Sequence, residues 1–165
     1  MSANRGLLGQ RRQPFDGIMR KPCQWAGAGT VLINEVIYPV LDNRPDRYPS
    51  YKAYADGYFL TRRAMEWYLD QYIPREARTD WRAAPMLAPN LSHVAPGMVL
   101  TVELDVLRDE AEDYAKRLRS YGVRTSLVRY GGMFHGAWGM THAIDAAMEM
   151  HIDAAGMLRG ELVGW

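Results

Sequence analysis

Between Met98 and Tyr130 the chain spells strand, helix, strand with hardly a spacer, and that order admits few folds. Met98 to Val102 is an unbroken apolar run of strand length, as expected for a strand covered on both faces. Asp109 to Tyr121 then carries helical period: Ala111, Tyr114, Ala115 and Leu118 share one face. Its acids lie in the first turn and Lys116, Arg117 and Arg119 lie late, as the helix macrodipole prefers. Gly122 supplies the stop, and Thr125 to Tyr130 is the next strand. A helix used as a crossover returns the chain to lay the second strand parallel to the first.

The flanks extend the same alternation. Val31 to Tyr38 is β-rich and ends at Pro39, which predicts another mostly buried strand. Thr61 is a suitable N-cap for a helix with the apolar stripe Met65, Tyr68, Leu69 and Tyr72, ended by Pro74. Ala143 to Leu158 predicts a last helix with Ile144, Ala147, Met148, His151, Ala155 and Leu158 on one stripe. Leu41 to Gly57 and Arg75 to Pro96 read as long loops. The fold class is therefore α/β, with three parallel strands and helical crossovers. Residues 1–29, rich in Arg, Gly, Gln and Pro without sustained period, read as an irregular arm, and residues 30–165 as the structured domain.

Composition narrows the function classes. With 20 basic and 19 acidic residues the net charge is +1, so no nucleic-acid partner is expected. A single cysteine, Cys23, excludes an internal disulfide and favours a reducing, cytoplasmic setting. No apolar run is long enough to predict a membrane span. No Cys, His and carboxylate set has metal-ligand spacing, so no metal is expected.

Two residues stand out by position. Asp105 follows the Met98 strand and His135 follows the Thr125 strand, behind Gly131 and Gly132. Sites in open α/β sheets form at the carboxyl ends of strands, where both would sit. From pattern alone Asp105 is either a site acid or a helix-start acid ahead of Leu107. Asp109 and Glu110 read as first-turn charges. His93, His142 and His151 read as a loop residue, a residue near a helix start and a helix-face residue.

An ordered series of motifs then bears on function. Val36-Ile37-Tyr38-Pro39-Val40-Leu41-Asp42 is followed by Gly57-Tyr58-Phe59-Leu60-Thr61, Met65, Trp67-Tyr68, Pro85-Met86-Leu87-Ala88 and Leu91-Ser92. Leu104-Asp105-Val106-Leu107-Arg108-Asp109-Glu110 and Met133-Phe134-His135-Gly136 complete it. From Val36 to Gly136 the chain resembles the hormone-sensitive-lipase-like, capped bacterial esterases of the α/β hydrolases. The resemblance implies a partial hydrolase fold: the last three parallel strands, their helices and part of the cap. It implies that Asp105 is the catalytic acid and His135 the general base, and that the substrate is a small acyl ester, without cofactor. Tyr51 to Tyr72 would pack near the acyl pocket.

The nucleophile is missing. Neither Gly-Asp-Ser-Ala-Gly-Gly nor His-Gly-Gly-Gly occurs, and none of Ser2, Ser50, Ser92, Ser120 and Ser126 has a Gly-x-Ser-x-Gly context. Read one nucleotide later, the codons of Leu8 to Met19 can encode Asp-Ser-Ala-Gly-Asn-Leu-Ser-Thr-Ala-Leu from Gly9 onward. This predicts an out-of-frame remnant of the nucleophile region, with the frame resuming near Val31. Two function classes stay open: the acid and base half of an ester hydrolase, or a non-catalytic fragment or pseudoenzyme. The latter would self-associate, or pair with another hydrolase half, through the exposed edge of the first strand.

Overall fold

The structure, a computed structural model, describes residues 33–163. The arm expected over 1–29, its shifted frame and Cys23 lie outside the described residues. Three parallel strands, β1 (Asn34–Ile37), β2 (Gly97–Leu104) and β3 (Thr125–Phe134), form a sheet in the order β1-β2-β3. The helices are α1 (Ser50–Ala53), α2 (Arg62–Tyr72), α3 (Arg108–Ser120) and α4 (Asp145–Val163).

β2 is central, and its first six residues are all buried. Alternation sends Val99 to one face, against Ala111 and Ala115 of α3, while Met98 and Leu100 meet Ala154 of α4 on the other. An apolar run without polar alternation is what a strand covered on both faces requires. α3 has the predicted period, with Ala111, Ala115 and Leu118 buried and Tyr114 partly so. It ends at Gly122, whose φ of +77° is the left-handed conformation that glycine adopts without Cβ strain.

Elsewhere the packing departs from the pattern. β1 is only four residues long, because Tyr38 turns the chain with a φ of +34° ahead of Pro39. Thr61 caps α2 as expected, its Oγ1 accepting the Ala64 N–H at 3.1 Å. Only Met65 and Leu69 of the α2 stripe are buried, however, and Tyr68 faces out at 53% exposure. In α4 the buried residues are Ala147, Met150 and Ala154, whereas Met148 and Ala155 are exposed.

The long segment 41–57 is no simple surface loop. Asp42, Asn43, Tyr48, Ser50 and Tyr51 are buried, and Tyr48 and Tyr51 join Met65, Val106 and Leu107 in one cluster. Its polar groups close on one another: Asp42 binds Arg44 at 2.7 Å and accepts from the Tyr48 hydroxyl at 2.8 Å. The Ser50 N–H donates to Asp109 Oδ2 at 2.7 Å, and Ser50 Oγ donates to the Val106 carbonyl. Those two bonds moor α1 to the turn after β2. The segment 75–96 is likewise folded inward, with Ala84, Met86, Ala88 and Leu91 buried.

Candidate active site

The carboxyl ends of β2 and β3 meet at Asp105, the first residue past β2. Its side chain is fully buried. Oδ1 accepts the Leu107 N–H at 3.0 Å, the two-residue reach with which aspartate closes a turn onto its own backbone. Oδ2 accepts from His135 Nδ1 at 2.9 Å. The helix-start acid and the partner of the imidazole are thus the same residue, with one oxygen given to each task.

His135 reaches this carboxylate through a bulge. Val102 pairs with Tyr130 and Leu104 with Phe134, so β3 spends four residues where β2 spends two. Gly132, at φ +68°, carries the bulge, and its N–H donates to Glu103 Oε2 at 2.7 Å. The sequence places Gly131 and Gly132 in a turn beyond the strand, whereas they lie inside β3 and redirect its last residues. Past His135 the chain turns again at Gly136, φ +90°, where a Cβ would stand 3.2 Å from the Phe59 ring. Both the backbone conformation and the neighbour demand glycine there.

Two further side chains complete the surroundings. The Tyr38 ring lies against the imidazole, centroids 4.4 Å apart and planes tilted by 53°. Burial raises the Tyr38 phenol above its ordinary pKa, opposed by the nearby backbone N–H groups of Trp138 and Gly136. Glu110 is also fully buried, not the solvated first-turn charge its sequence position suggests. Its Oε1 accepts the Leu41 N–H at 2.7 Å. Desolvation pushes its pKa up to about 8, against those backbone donors and with help from the charges of Asp42 and Asp105.

Chemically, the pair can move protons. A carboxylate on Nδ1 selects the tautomer that leaves Nε2 as the basic nitrogen, and the His135 side chain keeps 22% exposure. No described serine is hydrogen-bonded to it. Ser50 is buried and engaged with Val106 and Asp109, while Ser92, Ser120 and Ser126 lie toward the opposite, amino-terminal end of the strands. The other histidines stay apart: His93 and His142 are exposed, and His151 stacks on Trp138 at 3.7 Å and donates to the Ala147 carbonyl. No group of three metal-capable side chains occurs among the described residues. None of the described helices is long and apolar enough to cross a membrane.

The comparisons with known proteins agree with this fold. A family model described as an alpha/beta hydrolase fold matches residues 18–139. The chain is 33% identical to the carboxylic ester hydrolase LipN of Mycobacterium tuberculosis, over 72% of its own length and 32% of that protein's. It is 36% identical to an ethyl acetate hydrolase of Pseudomonas putida, over 69% of its own length and 36% of the relative's. It therefore spans about a third of the length of these relatives. Among solved structures, an ester hydrolase from the metagenome of Lake Arreo superposes with a TM-score of 0.75 at 33% identity, covering 83% of this chain and 44% of that one. A thermostable carboxylesterase cloned from a metagenomic library gives a TM-score of 0.76 at 33% identity, covering 80% and 46%.

Proposed function

Since this chain belongs to the alpha/beta hydrolase family, in its hormone-sensitive-lipase-like branch of carboxylic ester hydrolases, we propose that Asp105 and His135 are the acid and base of an ester-hydrolysing site. No serine of this sequence has the setting that the nucleophile of such a site needs. One observation carries the reading: the 2.9 Å bond from His135 Nδ1 to a fully buried carboxylate, formed where two adjacent parallel strands end. Asp105 holds the imidazole in its Nδ1–H form and stabilises the charged ring. Nε2 takes the proton of a serine hydroxyl as its oxygen adds to the ester carbonyl, then returns that proton to the departing alcohol. Water, activated by the same nitrogen, releases the acid from the acyl-enzyme. Small acyl esters are the substrate class, supported by the ethyl acetate hydrolase among the relatives.

The chain by itself lacks turnover. None of its serines has the Gly-x-Ser-x-Gly setting, and loss of the nucleophile alone removes about a millionfold in turnover from a triad enzyme. Hydrolysis of p-nitrophenyl acetate tests this directly. The purified chain is expected to be silent, and joining it to an upstream segment that bears the elbow is expected to produce turnover. Asp105→Asn should then lower that turnover by about ten-thousandfold. Turnover by the unaided chain that vanishes in His135→Ala would overturn the inactive reading. A restored enzyme indifferent to both substitutions would overturn the assignment of acid and base.

The sheet supports a second property. β1 pairs only with β2 among the described strands, and beside it Val36, Val40 and Leu41 line an apolar groove with Trp81 and Tyr114. Association of copies through this edge is expected as oligomers in light scattering; a monomer at high concentration would refute it.

A further inference from the structure

We propose that Tyr38 is a positioning residue for His135, fixing the plane of the imidazole. The inference rests on the acid–base reading above and adds a residue to it from the opposite edge of the sheet. Tyr38 stands at the end of β1, two strands away from β3. Its N–H donates to the Leu100 carbonyl at 2.7 Å, so its backbone is locked to the central strand. The chain then adopts a φ of +34°, the one positive value at a non-glycine among the described residues. A bulky side chain adopts that region only where its surroundings impose it. The result is that the ring crosses over β2 to lie against the imidazole, at 4.4 Å between centroids.

Asp105 alone leaves the imidazole a degree of freedom. A hydrogen bond to Nδ1 fixes one edge of the ring, but the ring can still rotate about the line through that bond. Contact with a face of the ring removes that rotation and so fixes the direction of Nε2. The tilted Tyr38 ring makes that contact. The ring contact thus acts on the imidazole directly, from a residue whose own backbone is fixed to β2.

Solution NMR of the full chain with isotope-labelled histidine and backbone amides tests this. Asp105→Asn is the control on the underlying reading: it must change the His135 tautomer signature and hasten exchange of the Nδ1 proton. If it does neither, the acid–base pair itself is wrong. With that response in hand, Tyr38→Leu is expected to hasten exchange of the His135 Nδ1 proton by about tenfold and to remove the ring-current shift on the imidazole carbons. Tyr38→Phe keeps the ring and drops the oxygen. It is expected to leave exchange of the Nδ1 proton within about twofold and to keep the ring-current shift, because the ring contact is retained. Unchanged His135 signals in Tyr38→Leu overturn the proposal, as does exchange in Tyr38→Phe hastened as much as in Tyr38→Leu. Should Tyr38→Leu fail to fold, nuclear Overhauser contacts between the Tyr38 ring protons and the imidazole in the unaltered chain decide, and their absence overturns the proposal.

Discussion

The two residues proposed as acid and base are held in opposite ways. Asp105 sits in the interior, with Leu107 on one oxygen and His135 on the other, and with α1 and α3 moored around it through Ser50 and Asp109. His135 sits on a half-exposed loop between two positive-φ glycines, restrained by one carboxylate and the Tyr38 ring, with Phe59 beside the following Gly136. The acid is thus part of the core, so disturbing it disturbs folding. The base is an attachment to the core, and disturbing it should remain local. A proton relay of the proposed kind benefits from this division: the buried carboxylate stays fixed while the imidazole keeps its access to solvent.

The largest expected difference between the two sides is one of pH. Glu110, beneath the acid, holds its proton up to about 8 in the folded chain against an ordinary value of 4.5. A carboxyl whose folded-state pKa is raised contributes stability that is complete below the unfolded pKa and is lost as pH rises through the folded one. The chain should therefore lose stability between about pH 4.5 and 8, by an amount of the order of a few kcal/mol. Glu110→Gln, which keeps an acceptor for the Leu41 N–H, should flatten that slope in urea unfolding followed across pH. An unchanged slope would break the picture of a buried, protonated support.

Next in size is Ser50→Ala. It strips the hydroxyl between Val106 and Asp109 in a dry environment, which costs about 1–3 kcal/mol in chemical denaturation. On the base side, Gly136→Ala meets both an unfavourable φ and the Phe59 ring. It should perturb the His135 signals strongly while costing only about 1 kcal/mol of global stability. Smallest is the remedy: Phe59→Ala, at a residue 71% exposed, should change stability by no more than about 0.5 kcal/mol and partly restore Gly136→Ala. If Gly136→Ala proves more destabilising than Ser50→Ala, the division between core-held acid and attached base is wrong.

What the sequence disclosed follows the same line. The α3 face and the buried run of β2 were legible, because Ala111, Ala115 and Leu118 recur at helical period and β2 has no polar interruption. The α4 face was not: its Ala and Met residues surround the helix, so no stripe distinguishes Met148 from Met150. Tyr68 and Tyr72 misled because tyrosine suits either a core or a wet face. Segment 41–57 looked like a solvated loop because composition registers Asp42 and Ser50 as polar but cannot show that they are satisfied internally. In the site, Asp105 and His135 were marked by their position after strands and by their motifs. Tyr38 and Glu110 owe their surroundings to contacts across the sheet and across a helix, which no local spacing encodes.

The surplus length of β3 over β2 has a consequence for how such a site could be altered. Because the extra residues are absorbed between Val102 and Leu104, strand pairing below them is insulated from anything that happens above. The imidazole can in principle be raised, lowered or swung by adding or deleting glycine at 131–132, with the rest of the ladder untouched. The sheet then works like a fixed bench, and that short stretch like the adjustable mount bolted to its rim.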